Sequence, residues 1–304
     1  LIDRGHEVDI YAYQPGDTSK MHPDVEKYHL LNRTHYVFDP KLSANYFLQA
    51  LKGLVNLLGK GSYDIIHCQF GTLGLNALLL RKLGLLKGKL ITSFRGHDIS
   101  RYLKECGSDV YNELFVKGDF FLTNCDYFKH RLLKLGCDEK KVVVLRSGLD
   151  SSKFVFTPRS PHADGRVRIA TTGRLVEKKG IEYCIRAVAK LAKIHHNIEY
   201  NIIGDGPLRE KFEQLIQELD VSEQVKLLGW KQQQELIEIL NNSHIFIAPS
   251  VTASDGNQDA PVNTLKEAMA MGLPVISTLH GGIPELVEDG ISGFLVPERD
   301  ADAI

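Results

Sequence analysis

A guanidinium and an ammonium fall within one short turn of this chain. The stretch Gly173-Arg174-Leu175-Val176-Glu177-Lys178-Lys179-Gly180 follows a run that reads as a strand and leads into one that reads as a helix. Gly173 lets the backbone turn sharply and approach a ligand. Arg174 presents a fork of donors matched to phosphate oxygens, and Lys179 adds a compact charge. A helix beginning near Gly180 contributes the positive end of its dipole. Together these groups make a pyrophosphate clamp that needs no metal. An isolated basic turn is more often a solvated surface feature. Its place after the first strand of the second half reverses that preference.

Further on, Asp259-Ala260-Pro261-Val262-Asn263-Thr264-Leu265-Lys266-Glu267 sets one carboxylate in a long polar loop and another in the first turns of a helix. Carboxylates accept hydrogen bonds from sugar hydroxyls, and the helix start near Asn263 can meet a phosphate. The plainer alternative makes Asp259 a turn residue and Glu267 a partner of the helix dipole. His97, in Phe94-Arg95-Gly96-His97-Asp98, ends a first-half strand. It can donate to a phosphate or a sugar hydroxyl near neutral pH, or it can cap the next helix. Gly204-Asp205-Gly206-Pro207-Leu208-Arg209 suggests a dinucleotide fingerprint. Arg209 replaces its third glycine and no acid ends the next strand, so it reads as a tight turn bordering a ligand. In His280-Gly281-Gly282-Ile283-Pro284-Glu285 two glycines bring backbone amides close to a ligand.

These turns need strands and helices to hold them. Alternating apolar runs predict strands at 7–13, 64–68, 89–94, 120–123 and 142–145, with helices at 44–58, 73–83, 110–117 and 127–135. The stretch 151–166 has prolines, small polar residues and no period, and reads as a boundary. Beyond it the pattern restarts, with strands at 167–171, 199–203, 225–228, 244–248, 274–277 and 293–296. Helices follow at 180–195, 208–219, 233–241, 263–271 and 283–288. Strand–helix alternation predicts parallel sheets. The expected organisation is α/β, with two doubly wound, Rossmann-like domains, 1–155 and 156–304, facing each other across a cleft. The chain opens on what reads as the tail of a helix and stops where another is due, so a strand before it and further chain after it are expected.

A net charge of -1 gives no general attraction to nucleic acid. Five widely spaced cysteines point to a reducing, cytoplasmic setting rather than a disulfide frame or zinc site. No run is long and apolar enough to span a bilayer. The face of the expected helix 44–58, ringed by Lys41, Lys52 and Lys60, suits core packing or a peripheral membrane contact.

Taken in order, GRLVEKKG (173–180), GDGP (204–207), KLLGW (226–230), DAPVNTLKEAMAMGLPVIST (259–278) and GGIPELVEDGISGFLV (281–296) resemble the donor domain of retaining glycosyltransferase family 4. FRGHD and VVVLRSGLD (142–150) resemble its acceptor domain. The 259–290 stretch is most similar to bacterial exopolysaccharide enzymes of the colanic-acid type. The resemblance implies a GT-B fold and metal-independent transfer from a UDP- or GDP-sugar, with retention, to a saccharide or lipid-linked acceptor. It implies no cofactor beyond that co-substrate. Arg174 and Lys179 would hold the pyrophosphate, Asp259 the transferred sugar, Glu267 the ribose, and His97 the sugar and phosphate. Gly173, Gly204, Gly206, Trp230, Asn263, Thr264, Gly281 and Gly282 would line the donor. Where the family usually has Glu, this chain has Asp259, one methylene shorter, and Asp255 is a candidate to share its task. An epimerase or phosphorylase on the same architecture, or a non-catalytic sugar-binding protein, are the alternatives; a nicotinamide dehydrogenase is disfavoured by the broken glycine pattern.

Overall fold

The structure is a computed structural model that describes residues 1–12, 27–30, 61–160, 163–259 and 262–304. The helix expected over 44–58, with its candidate membrane face, lies outside these residues. The chain divides into two compact units: unit 1 comprises Leu1–Thr92 and Glu113–Phe120, and unit 2 comprises Ser93–Asn112 and Phe121–Ile304.

Strands β1 (Asp9–Ala12) and β2 (Lys27–Leu30) pair in parallel. Strand β3 (Ser62–Cys68) leads into helix α1 (Gly71–Lys82) and then β4 (Lys87–Phe94), which runs parallel to β3. Gly74 lets α1 lie close to the strand, because a Cβ there would come within 2.7 Å of Thr92 and 2.9 Å of Leu114. Short helices α2 (Arg101–Cys106) and α3 (Asn112–Lys117) follow. Next come β5 (Phe120–Thr123), α4 (Asp126–Lys134) and β6 (Val142–Val144), with β5 and β6 parallel. These four strands form a sheet ordered β3-β4-β5-β6.

The rest of the chain alternates strand and helix as far as its penultimate strand. It runs β7 (Val167–Thr172), α5 (Ile181–Leu191), β8 (Ile198–Ile203), α6 (Arg209–Glu218), β9 (Val225–Gly229), α7 (Gln233–Asn241), β10 (Ile245–Ala248), α8 (Asn263–Ala270), β11 (Val275–Thr278) and β12 (Phe294–Val296). All six strands are parallel, in the order β12-β11-β10-β7-β8-β9. This is the doubly wound order, in which the sheet grows first one way and then the other from β7. The direction reverses between β7 and β10. Loops leaving the carboxyl ends of these two strands diverge and leave room for a ligand.

Successive side chains on a strand point to opposite faces, and the core follows that rule. Ile169, Tyr200, Ile202 and Ile247 pack with α5 and α6 on one face. Ala170, Ile203, Phe246 and Ala248 pack with Leu265 and Ala268 of α8 on the other. Fully burying a side chain such as Phe246 contributes about 1.5–3 kcal/mol. Two buried hydroxyls bond across strands: Tyr200 donates to Thr171 Oγ1 at 2.8 Å, and Thr171 to the Ile247 carbonyl at 2.6 Å.

Two helix expectations change. The helix expected over 283–288 is one 3-10 turn, Ile283–Glu285, with Pro284 in its first positions. Leu286 and Val287 both donate to the Ile283 carbonyl, so the turn closes on itself instead of propagating. Helix α2, absent from the sequence expectation, is six residues long, too short to declare a period.

Candidate active site

The residues singled out in the second half, together with His97, lie in unit 2, most of them at the carboxyl ends of its strands. The 173–180 turn leaves β7 and is tied to its neighbours by backbone bonds. Gly173 donates to Ile203, Leu175 to Asp205, and Leu208 to Leu175 at 2.9, 2.9 and 3.1 Å. The turn after β8 fits against it only because its glycines lack side chains. A Cβ on Gly204 would lie 2.0 Å from the Gly173 carbonyl oxygen, and one on Gly206 would lie 2.6 Å from that of Leu175. Leu175 is fully buried between them and pins the turn to the core. Arg174, on the outer side, is exposed and pairs with no acid among the described residues.

Lys179 folds back across Gly173, its Cε 3.4 Å from where a Cβ would stand. Its Nζ meets Asp259 Oδ2 at 2.7 Å, while Lys178 Nζ meets Oδ1 at 2.8 Å. The three side chains are 20%, 18% and 13% exposed in the order Lys179, Lys178, Asp259. Burial alone would raise the Asp259 carboxyl. The two ammoniums outweigh it and hold the group below the ordinary aspartate range. The loop carrying Asp259 is docked on the same turn. Val251 donates to the Lys178 carbonyl at 2.9 Å, and Glu177 accepts from Ser254 N and Oγ at 2.9 and 2.6 Å.

Glu267 sits on α8, one turn in from Asn263. Burial pushes its carboxyl above the ordinary glutamate range, and no cation pairs with it among the described residues. A raised carboxyl binds its proton more tightly in the folded chain than in the unfolded one. Stability is therefore lost as pH climbs through the unfolded value of about 4.3 and beyond it. Glu267→Gln removes the charge and keeps the shape. It should raise the melting temperature by a few degrees at pH 7, with the gain fading towards pH 4; thermal unfolding across that range checks it.

Thr264, at the start of α8, has a buried hydroxyl with no partner among the described residues. Asn263 is exposed, and Trp230, beyond β9, is 72% exposed. Gly281 and Gly282 follow β11 directly after His280, which is fully buried and accepts the Asp259 N–H on Nε2 at 3.1 Å. Glu285 accepts the first amides of α4, from Asp126 and Tyr127 at 2.8 and 2.6 Å, and pairs with Arg146 at 3.2 Å. It caps a helix rather than starting one.

His97 is exposed on a 3-10 turn after β4. The turn rests on Phe94 and Tyr111, stacked edge-to-face at 5.0 Å. It is closed by buried Asp98, whose carboxylate accepts from Arg95 and Gly96 at 3.1 and 3.0 Å. Gly96 (φ 151°) abuts the Gln258 carbonyl, 3.2 Å from where a Cβ would stand. The structure thus brings the His97 turn against the residue preceding Asp259. Asp255 is engaged elsewhere: it pairs with Arg101 at 3.0 Å and accepts the Asn257 N–H at 2.8 Å.

Sequence reasoning passed over Lys178, Gln258, His280 and Glu298. Lys178 stood next to a chosen residue and His280 stood inside a quoted motif. Gln258 and Glu298 carried no spacing signal. Gln258 receives Arg131 at 2.7 Å and Tyr127 at 3.3 Å on its amide oxygen.

The arrangement places cations, a depressed carboxylate and a half-buried acid around the reversal point of a doubly wound sheet, chemistry suited to a phosphorylated sugar. The family described as Glycosyltransferase Family 4 matches residues 1–153, and that described as Glycosyl transferases group 1 matches 153–304. The chain is a family 4 glycosyltransferase. This glycosyltransferase is 36% identical to a colanic acid biosynthesis glycosyltransferase, WcaL, of Escherichia coli, over all of the chain and 83% of the relative. It is 35% identical, with the same coverage, to the amylovoran biosynthesis glycosyltransferase AmsK of Erwinia amylovora. Among solved structures it resembles Anabaena HepE in complex with UDP-glucose, with a TM-score of 0.72 at 18% identity over 97% of this chain and 79% of that one. The GT-B fold of the glycosyltransferase accords with its four- and six-stranded parallel sheets. Among its described residues no helix is long and apolar enough to cross a membrane.

Proposed function

We propose that the glycosyltransferase takes a hexose from a UDP- or GDP-sugar and passes it, with retention, to a saccharide or lipid-linked saccharide during exopolysaccharide assembly. The observation that carries this reading is the Lys179–Asp259 pair at 2.7 Å, which sets a phosphate-binding cation beside a sugar-binding carboxylate. The names of WcaL and AmsK support the pathway, and the UDP-glucose complex of HepE supports the donor class.

On this reading Arg174 and Lys179 grip the diphosphate, and Gly173, Gly204 and Gly206 let backbone approach it. Thr264 and Asn263 meet it at the start of α8. Glu267 receives the ribose and Asp259 a hydroxyl of the transferred sugar. The bond from the anomeric carbon to the phosphate oxygen breaks as the acceptor oxygen attacks from the same face. The acceptor proton passes to the departing phosphate oxygen. Arg174 and Lys179 stabilise the negative charge that develops there, a contribution worth about 10²–10³ in rate for a single well-placed group. His97 donates to the sugar or phosphate. The protein's own cations supply the positive charge, with no cofactor besides the co-substrate.

Thermal unfolding with UDP-, GDP- and ADP-sugars tests the reading. A donor at a hundred times its Kd stabilises by about 2.7 kcal/mol, a shift of roughly 4 °C for a protein of this size. A chain that no nucleotide sugar stabilises is not this enzyme. Retention is checked by the anomeric configuration of the product.

A further inference from the structure

Asp259 is held by its backbone as well as by its carboxylate. Its N–H donates to Nε2 of His280 at 3.1 Å. A backbone amide can only donate, so Nε2 carries the lone pair and the imidazole proton is on Nδ1. Nδ1 faces Glu298 Oε1 at 2.6 Å. Glu298 also accepts from Thr252 N and Oγ1, at 2.8 and 3.3 Å. Thr252 Oγ1 in turn accepts from Gln258 Nε2 at 3.0 Å. The bonds form a ring from Asp259 through His280, Glu298 and Thr252 to Gln258, its neighbour in the chain. His280 is fully buried, while Glu298 is 27% exposed.

The middle of this loop has its own ties. Glu177 holds Ser254 and Arg101 holds Asp255, so the His280 bond acts on Asp259 alone. An aspartate has only two side-chain torsions, so the place of its carboxylate follows the place of its amide closely. Misplacing a reacting group by about 1 Å costs on the order of 10²-fold in rate. We propose that His280 and Glu298 are positioning residues, which fix the Asp259 carboxylate against the transferred sugar by gripping the Asp259 amide. The proposal rests on the reading of this site as the donor site.

The two amides that replace histidine separate its two bonds. Gln reaches as far as Nε2 and keeps an acceptor for the Asp259 N–H. Asn reaches only as far as Nδ1 and keeps a donor for Glu298. The full chain carrying His280→Asn, His280→Gln or Glu298→Gln is assayed for UDP binding by calorimetry and for UDP release from UDP-glucose. Exchange of the Asp259 amide hydrogen is followed in parallel. UDP affinity is expected to change less than about threefold in all variants. Release falls about 10–100-fold in His280→Asn, the range typical of lost outer-shell orientation, and returns to within about fivefold of wild type in His280→Gln. Glu298→Gln, milder for the fold because that side chain is partly exposed, slows release about 3–10-fold. Amide exchange quickens in His280→Asn and not in His280→Gln. Equal loss in both histidine variants, or unchanged rates in His280→Asn or Glu298→Gln, overturns the proposal. A wild type that binds neither UDP nor GDP counts against the donor-site reading instead. Amide exchange then decides the grip on Asp259: unchanged protection in His280→Asn overturns it, and loss rescued by His280→Gln supports it.

Discussion

The Arg174→Ala/Lys179→Ala double variant should lose UDP binding almost entirely, while Asp259→Asn should bind UDP more tightly than wild type and turn over more slowly. A hydrogen bond to a charged group contributes about 1.5–3 kcal/mol. Removing two such donors from the diphosphate weakens binding by roughly 10²–10⁴-fold. The fold should survive, because Arg174 is exposed and Lys178 remains paired with Asp259 at 2.8 Å. Asp259→Asn acts in the opposite direction. In the ligand-free site its carboxylate neutralises both ammoniums and competes with the phosphates for them. An amide does not, and UDP gains about three- to tenfold, the scale of a modestly exposed ion pair. Turnover still falls by about 10²–10³, since on the proposed reading the carboxylate that meets the sugar is gone. Calorimetry with UDP on the two variants reads both signs at once. Unchanged affinity in the double variant removes the clamp, and weaker affinity in Asp259→Asn removes the competition.

Gly180→Ala should strongly destabilise the second unit although it deletes no contact. Gly180 sits at φ 62°, ψ 14°, where the 3-10 turn carrying both lysines passes into α5. A left-handed backbone costs a side-chain-bearing residue about 1–2 kcal/mol. Steric conflict costs more. The added Cβ would lie 1.7 Å from the Pro249 carbonyl oxygen, and backbone on both sides leaves nothing flexible to yield. The total should exceed about 4 kcal/mol, a lowering of the melting temperature by roughly 10 °C or more. Gly290→Ala is the control. Its φ is 76° but nothing lies within 4 Å of the added atom, so it should cost only the conformational part. Calorimetric melting of the two variants separates strain from clash. If they melt alike, the close approach of the two loops is not what Gly180 secures.

Gly180 also shows how far the chain could be read without its structure. Its place at the end of the basic turn was legible, because a helix needs a start and the turn a bend. Its conflict with Pro249 was not, because that carbonyl belongs to a loop 69 positions away. Periodicity located the strands of the second sheet within a residue or two, since the inner strands bury both faces and glycine or polar turns bound the runs. The order β12-β11-β10-β7-β8-β9, which makes the loops after β7 and β10 neighbours, is a product of long-range strand pairing, about which local pattern is silent.

The same division runs through the site. Residue type alone determined which groups can grip a phosphate or a sugar: Arg174, Lys179, Asp259 and Glu267 stand out by their chemistry and their positions after strands. Tertiary structure decided which of them meet, what else joins them and in which charge state. It recruited Lys178 to Asp259, left Glu267 without a cation among the described residues, took Asp255 away to Arg101 and placed buried His280 behind the Asp259 amide. Chemical capacity resides in a side chain and is carried by the sequence. Charge state, reach and partnership depend on burial and on distances of a few ångströms, which exist only once the chain has folded.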